Sequence, residues 1–314
     1  MYILTNLTTG TRIEISGRTF ELLEKAKEDS FKRRSRLYVP LTCEKHIDSS
    51  NSTPADGLIF DLEDSVPHAR KSMARKNVRK IPKKTQGVEY ILRINAHSSD
   101  FWERDLDCLE DFPFDSVMIP KIESARQLEE ISSRIDHPRL SRIALIETFG
   151  GLDNAREIAE VLSPGDAMGY GAGDLSTSFG IVRKPIQDSF VLRQCLFQVL
   201  KAARASGLDV FDPPYRDYSD PSTLTKEALF GRECGTTGKQ AIHPCQIDTI
   251  NRVYSPSDEE ITGYSNELTG FADQGHSNAI SLQGAYRGLP SKILAERKLI
   301  DYVRRGYIRL EPGK

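Results

Sequence analysis

Long hydrophobic runs are missing from this 314-residue chain. No apolar stretch approaches the ~20 residues that a membrane span needs, so no transmembrane helix is expected. Cysteines are few, odd in number and scattered: Cys43, Cys108, Cys195, Cys234 and Cys245 never form a C-x-x-C pair. That pattern argues against a disulfide framework and a zinc site, and fits reduced thiols in the cytoplasm. An excess of one charge is lacking too, since 43 Lys and Arg against 45 Asp and Glu leave a net charge of −2. Such a balance makes no electrostatic case for nucleic acid or an anionic membrane as partner. The opening residues, Met1-Tyr-Ile-Leu-Thr-Asn-Leu7, carry neither the basic segment nor the cleavage site of a secretory signal, so a cytoplasmic protein is expected. Repeats and low-complexity segments are absent, and Gly169-Tyr-Gly-Ala-Gly173 falls short of a full dinucleotide-binding G-x-G-x-x-G.

What is present is a globular composition, 38% hydrophobic and 28% charged. Eight short apolar runs follow one another: Leu37–Pro40, Gly57–Glu63, Tyr90–Asn95, Ser116–Lys121, Arg142–Thr148, Ala167–Asp174, Leu208–Pro213 and Lys239–Pro244. Most are continuous rather than alternating, as in a parallel sheet covered on both faces. Amphipathic stretches separate them, with Ser124 and Asp153 placed to cap helix starts and Gly207 and Gly235 to close helix ends. Eight strand–helix alternations predict an α/β fold, a (β/α)8 TIM barrel over residues 34–255. Residues 1–33 read as a hairpin (Tyr2–Asn6, Arg12–Ile15) followed by a helix, and residues 256–314 as a helical lid segment with a glycine-containing loop near 273–288.

Three of the runs end on chemistry. Glu147 and Asp174 each close an apolar run, and Arg93-Ile-Asn95 closes another on a cation and an amide. In a parallel barrel the strand C-termini share one mouth, so two carboxylates and a guanidinium meet there. That set suits a divalent metal and an anionic substrate, and predicts an enzyme.

These motifs resemble the citrate lyase beta-subunit and malyl-CoA lyase family, within the HpcH/HpaI aldolase superfamily. The resemblance runs through Arg34-Ser-Arg-Leu-Tyr-Val-Pro40, Asp56-Gly-Leu-Ile-Phe-Asp-Leu-Glu-Asp-Ser-Val66 with Lys71 and Arg75, Arg93-Ile-Asn95, Met118-Ile-Pro-Lys-Ile-Glu-Ser124, Leu145-Ile-Glu-Thr148, Gly171-Ala-Gly-Asp-Leu175 and Gly238-Lys-Gln-Ala-Ile-His-Pro-Cys-Gln246. It covers roughly residues 34–260. It implies a Mg²⁺-dependent carbon–carbon lyase or aldolase, acting on a β-hydroxy acid such as a malyl- or citryl-type thioester to give a 2-oxo acid and an acyl thioester. Glu147 and Asp174 would be the metal ligands. Arg93 would contact the 2-oxo acid, Glu63 and Asp64 would assist the chemistry, and Gly171, Ala172 and Gly173 would let backbone approach the substrate. Lys121 is expected to pair with an anion and His243 to be a packed side chain. Strand alternation predicts that only one of Glu63 and Asp64 faces the metal. A homo-oligomer, trimer or hexamer, is implied.

The pattern also breaks. Leu41-Thr-Cys-Glu-Lys45 replaces the family's glycine and Asn/Arg/Pro-rich turn that helps hold coenzyme A. Gly150 stands at a common arginine, Gly173 at a common glutamate, and Gly288 at an aspartate that often acts as acid/base across a subunit interface. These departures keep two other readings open: an aldolase or thioesterase acting without coenzyme A on a small or carrier-bound intermediate, and a non-catalytic barrel subunit.

Overall fold

The computed structural model describes residues 2–15, 23, 31–273 and 289–312. They fall into two compact units, residues 33–254 and the two terminal segments together.

Residues 33–254 form a closed, all-parallel eight-stranded barrel. Its strands are β3 (Ser35–Pro40), β4 (Gly57–Asp61), β5 (Glu89–Arg93), β6 (Ser116–Ile119), β7 (Ser141–Ile146), β8 (Ala167–Tyr170), β9 (Asp209–Asp212) and β10 (Gly238–Ala241), with β10 pairing back to β3. Alternation sorts their side chains. Leu58 and Phe60 face the core beneath the helices, while Ile59 joins Ile91, Met118, Ile143, Leu145 and Phe211 inside the barrel. Every strand thus buries both faces, which is why the apolar runs are continuous.

Buried charge gathers in a few clusters, one of them Lys239 with Asp212 and with Glu227 of helix Pro221–Cys234. At the N-terminal end Glu89 accepts hydrogen bonds from Arg33 (2.8 Å), Arg36 (2.6 Å) and Ser116 (2.7 Å), and Arg36 lies 3.4 Å over the Phe211 ring. Burial alone would raise the Glu89 carboxyl; the charges of Arg33 and Arg36 outweigh it and bring it down to about 2. Charges at this end of a TIM barrel serve stability.

Several boundaries differ from the sequence reading. Ser124 does cap helix Ala125–Ser133, accepting the Gln127 N–H, and Gly235 closes helix Pro221–Cys234 at φ 106°. Asp153, however, is the last residue of helix Phe149–Asp153, whose cap is Thr148. Thr148 reaches back to the Gly151 N–H as soon as the strand ends, so the helix starts five residues earlier.

In the terminal unit the expected hairpin is present as β1 (Tyr2–Asn6) and β2 (Arg12–Ile15). A third strand, β11 (Ile308–Pro312), pairs antiparallel with β1, so the two chain ends share one sheet. Leu4, Ile15 and Ile308 pack there with Ile261, Leu268 and Leu299 from helices Asp258–Asp273 and Leu289–Arg304. Most of the expected helix at 19–33 and most of the loop at 273–288, Gly288 included, lie outside the described residues. No described helix is long and apolar enough to cross a membrane.

Candidate active site at the barrel mouth

The C-terminal mouth opens into a cavity of about 800 Å³, lined among others by Asp61, Arg93, Glu147, Gly171 and Asp174. β4 and β5 are in register with Asp61 opposite Arg93, which places a carboxylate and a guanidinium side by side. Arg93 donates Nε to Asp61 Oδ1 and Nη2 to Oδ2, both at 2.6 Å. Its Nη1 stands 3.1 Å from Glu63 Oε2, and the Tyr38 ring lies 4.6 Å away. Burial would raise Asp61, but the Arg93 charge and hydrogen bonds hold it down at about 2. Arg93 is thereby fixed before any ligand arrives.

β4 stops at Asp61, so strand alternation does not extend to Glu63 and Asp64. Both reach the same cation: Lys121 Nζ pairs with Glu63 and lies 3.3 Å from Asp64 Oδ1. Of the two, only Asp64 lines the cavity, while Glu63 is buried against Arg93 and Lys121. The loop carrying them is held by Lys71, whose ammonium donates to Leu62 O (2.8 Å) and Glu63 O (2.7 Å). Asn95 adds a bond to Leu62 O at 3.0 Å.

Glu147 follows β7 by one residue and is buried. Its Oε1 accepts the Lys121 backbone N–H at 3.1 Å. Lys121 adopts φ 52°, a region that non-glycine residues rarely enter, and that turn aims its N–H at Glu147 and its ammonium at the acids. The Lys121 ammonium is also 3.6 Å from Asp174 Oδ2. Burial, and then the charges of Glu63 and Asp174, push the Glu147 carboxyl well above its usual range, against the opposing pull of Lys121 and Arg93. Asp174 lies four residues beyond β8, in the first turn of helix Ala172–Ser178, not at a strand end as the apolar run had implied. Gly171 lies between them: a Cβ there would fall 2.3 Å from Glu147 Cβ and 2.4 Å from Oε2. No other residue fits that close approach.

The donor set is two carboxylates without sulfur or imidazole. Among the described residues no group of three or more His, Cys, Asp or Glu is arranged to hold a metal. That excludes an all-protein cage but suits Mg²⁺, which is bound through one or two carboxylates and takes its remaining oxygens from water and substrate. The crowding of acids around buried Glu147 is the electrostatic deficit that a divalent cation would relieve.

His243 lines the cavity, yet its Nδ1 accepts the Cys245 backbone N–H at 3.2 Å and its ring stacks on Tyr218 at 4.6 Å. At Gly150 the Glu123 side chain fills the space, 3.1 Å from where a Cβ would stand. Leu41, where the family's turn has glycine, is fully buried.

Tyr38, Arg183 and Arg216 are among the side chains in the mouth that escaped the sequence reading. Arg216 closely follows β9 and could have been found by the same strand-end logic that singled out Arg93. Arg183 comes from the segment after helix Ala172–Ser178 and carried no such signal.

The match to known proteins is broad. The family model described as HpcH/HpaI aldolase/citrate lyase matches residues 34–244. A (3S)-malyl-CoA thioesterase of Cereibacter sphaeroides is 33% identical over 245 residues, 76% of this chain and 83% of that protein. The human mitochondrial citramalyl-CoA lyase is 30% identical, with 82% of each chain covered. Among solved structures, protein CitE of Mycobacterium tuberculosis in complex with magnesium, acetoacetate and coenzyme A superposes with a TM-score of 0.73 at 30% identity, covering 87% of this chain and 98% of that one. With its barrel, its strand-end acids and this breadth of similarity, the chain belongs to the HpcH/HpaI aldolase/citrate lyase family.

Proposed function

We propose that this protein is a Mg²⁺-dependent carbon–carbon lyase that cleaves, or in reverse forms, a β-hydroxy acid carried as a malyl- or citryl-type thioester. The products of cleavage are a 2-oxo acid and an acyl thioester. The observation that carries the reading is buried Glu147, grouped with Asp174 and the pre-oriented Arg93 in one cavity of a barrel of this family. Relatives named citramalyl-CoA lyase and citrate lyase subunit beta, and CitE structures containing magnesium with oxaloacetate or pyruvate, support it.

Glu147 and Asp174 would hold the metal. Bound there, Mg²⁺ supplies Lewis-acid polarisation of substrate oxygens. Arg93, its Nε and Nη2 held by Asp61, offers its remaining N–H groups to the oxygen that gathers charge. Backbone at Gly171, Ala172 and Gly173, lining the same cavity, comes close to the acid half of the substrate. Glu63 and Asp64 are the acids placed to move the hydroxyl proton. Burial raises Glu63 above its usual range despite the opposing charges of Arg93 and Lys121, the direction that suits a group which takes up a proton. As the hydroxyl proton leaves, the hydroxyl carbon becomes the 2-oxo carbon and the C–C electron pair passes to the acyl half as an enolate. A homo-oligomer, trimer or hexamer, completes the reading.

The test is product analysis. Purified protein with Mg²⁺ is given malyl- and citramalyl-CoA, and 2-oxo acid and free thiol are followed separately. Release of 2-oxo acid that ceases with EDTA is the expected result. Thiol release without 2-oxo acid identifies a thioesterase, the activity named for the bacterial relative. Neither product, with metal bound, identifies a non-catalytic barrel.

A further inference from the structure

Two guanidinium groups converge on the glycine that precedes Asp174. A Cβ built at Gly173 would lie 2.7 Å from Arg216 Nη2 and 3.7 Å from Arg183 Nη1. Both arginines line the mouth cavity. Arg183 is half-buried and anchored by a hydrogen bond from Nη2 to Pro214 O at 2.5 Å. Arg216 is exposed. Among the described residues neither forms an ion pair with a carboxylate, although the molecule pairs most of its other partly buried arginines. Glu227, the acid that acts most strongly on Arg183, is engaged by Lys239 at 2.7 Å and by the Ile186 N–H at 3.0 Å.

Two like charges placed together, one of them partly desolvated, are costly unless an anion joins them. Among the described residues no carboxylate does so. Gly173 brings no side chain between the two arginines, and both guanidinium groups line the cavity.

We propose that Arg183 and Arg216 form a second anion locus that reads an additional carboxylate on the substrate, beside the one held at Arg93 and the metal. The inference rests on the proposed lyase reading. A carboxylate fits better than a carrier phosphate because the locus adjoins Asp174, where the reacting carbons lie. Carrier phosphates are separated from those carbons by the whole pantetheine arm. Planar guanidinium groups also match a carboxylate through paired N–H donors.

The experiment compares three 2-oxo acids by calorimetry with Mg²⁺ present: pyruvate, 2-oxobutyrate (a neutral extension) and oxaloacetate (an acidic one). Wild type should bind oxaloacetate about 10- to 100-fold more tightly than 2-oxobutyrate, the usual worth of a charge-assisted contact. Arg216→Met, a change at an exposed position, should remove most of that preference and leave pyruvate affinity unchanged. Arg183→Lys, which keeps the charge but not the fork, should lower the preference in part. Gly173→Glu should abolish it, because the new carboxylate would meet only the movable end of Arg216 and neutralise the pair. Equal wild-type affinity for oxaloacetate and 2-oxobutyrate, with Mg²⁺-dependent pyruvate binding intact, would overturn this inference alone. So would an Arg216→Met variant that keeps the full preference, or one that weakens only coenzyme A or inorganic phosphate. Absence of binding by every 2-oxo acid, with or without Mg²⁺, would sink the lyase reading along with it.

Discussion

Arg93 and Asp61 stand opposite one another on neighbouring strands and are joined by two parallel hydrogen bonds of 2.6 Å. Because both are buried, neither can lose its partner cheaply. Asp61→Asn should therefore cost about 3–5 kcal/mol, the usual penalty for leaving one member of a buried ion pair uncompensated. Urea denaturation at neutral pH measures it, and a loss below about 1 kcal/mol would contradict the account.

The same pair makes stability depend on acid. Asp61 and Glu89 both titrate near 2 in the folded protein, against ordinary values of 3.8 and 4.5. Depressed carboxyls contribute stability that is complete above their unfolded values and lost as pH falls through the folded ones. Each shift is worth roughly 2–4 kcal/mol. Stability measured from pH 5 to 2 should drop steeply, and Glu89→Gln should flatten part of that drop. A pH-independent profile would show that these carboxyls are not held down.

Mg²⁺ binding follows from the proposed ligands. Glu147→Gln and Asp174→Asn should each weaken Mg²⁺ by at least about 10- to 100-fold in calorimetry, with circular dichroism unchanged. Unaltered affinity in both variants would remove these residues from the metal site.

Gly171→Ala probes the same carboxylate from the backbone side. Its new methyl would overlap the Cβ of Glu147 as well as its carboxylate, so a rotation of the side-chain end alone cannot relieve the clash. A stability loss of about 1–3 kcal/mol and a comparable loss of Mg²⁺ affinity are expected. Wild-type metal affinity in this variant would mean that Glu147 is not held where the structure has it.

Lys121 occupies the space among Glu63, Asp64 and Asp174 with a positive charge of its own. Lys121→Met should lower the melting temperature of the metal-free protein, because three acids lose their counter-charge. It should raise Mg²⁺ affinity, because a competing cation is gone. Thermal melts with and without Mg²⁺ test both halves; a smaller Mg²⁺-induced gain than in wild type would refute the competition.

The barrel was legible because its information is local. Most strands announce themselves by a continuous apolar run, since burying both faces leaves little place for a polar residue, and the order of runs allows one closed parallel arrangement; β10, with Lys239 and Gln240 buried, is the exception. The strand-end rule located Arg93 and Glu147 for the same reason. It faltered two to four residues past the strand end. Glu63, Asp64 and Asp174 lie on turns or a helix start, where direction is decided by Lys71, Lys121 and the tight passage at Gly171. The third strand of the terminal sheet was hidden for a related reason. Short β11 gains its stability only by pairing with β1, about three hundred residues away in sequence.

Residue order alone thus specifies the strands, the fold class and the acids that head for the mouth, because periodicity and strand ends are properties of neighbouring residues. Which acids share a cation, how Arg93 is clamped and which arginines meet at Gly173 depend on through-space distances between loops of different strands. Charge interactions fall off over a few ångströms and are indifferent to separation along the chain, so only the closed barrel brings them into being.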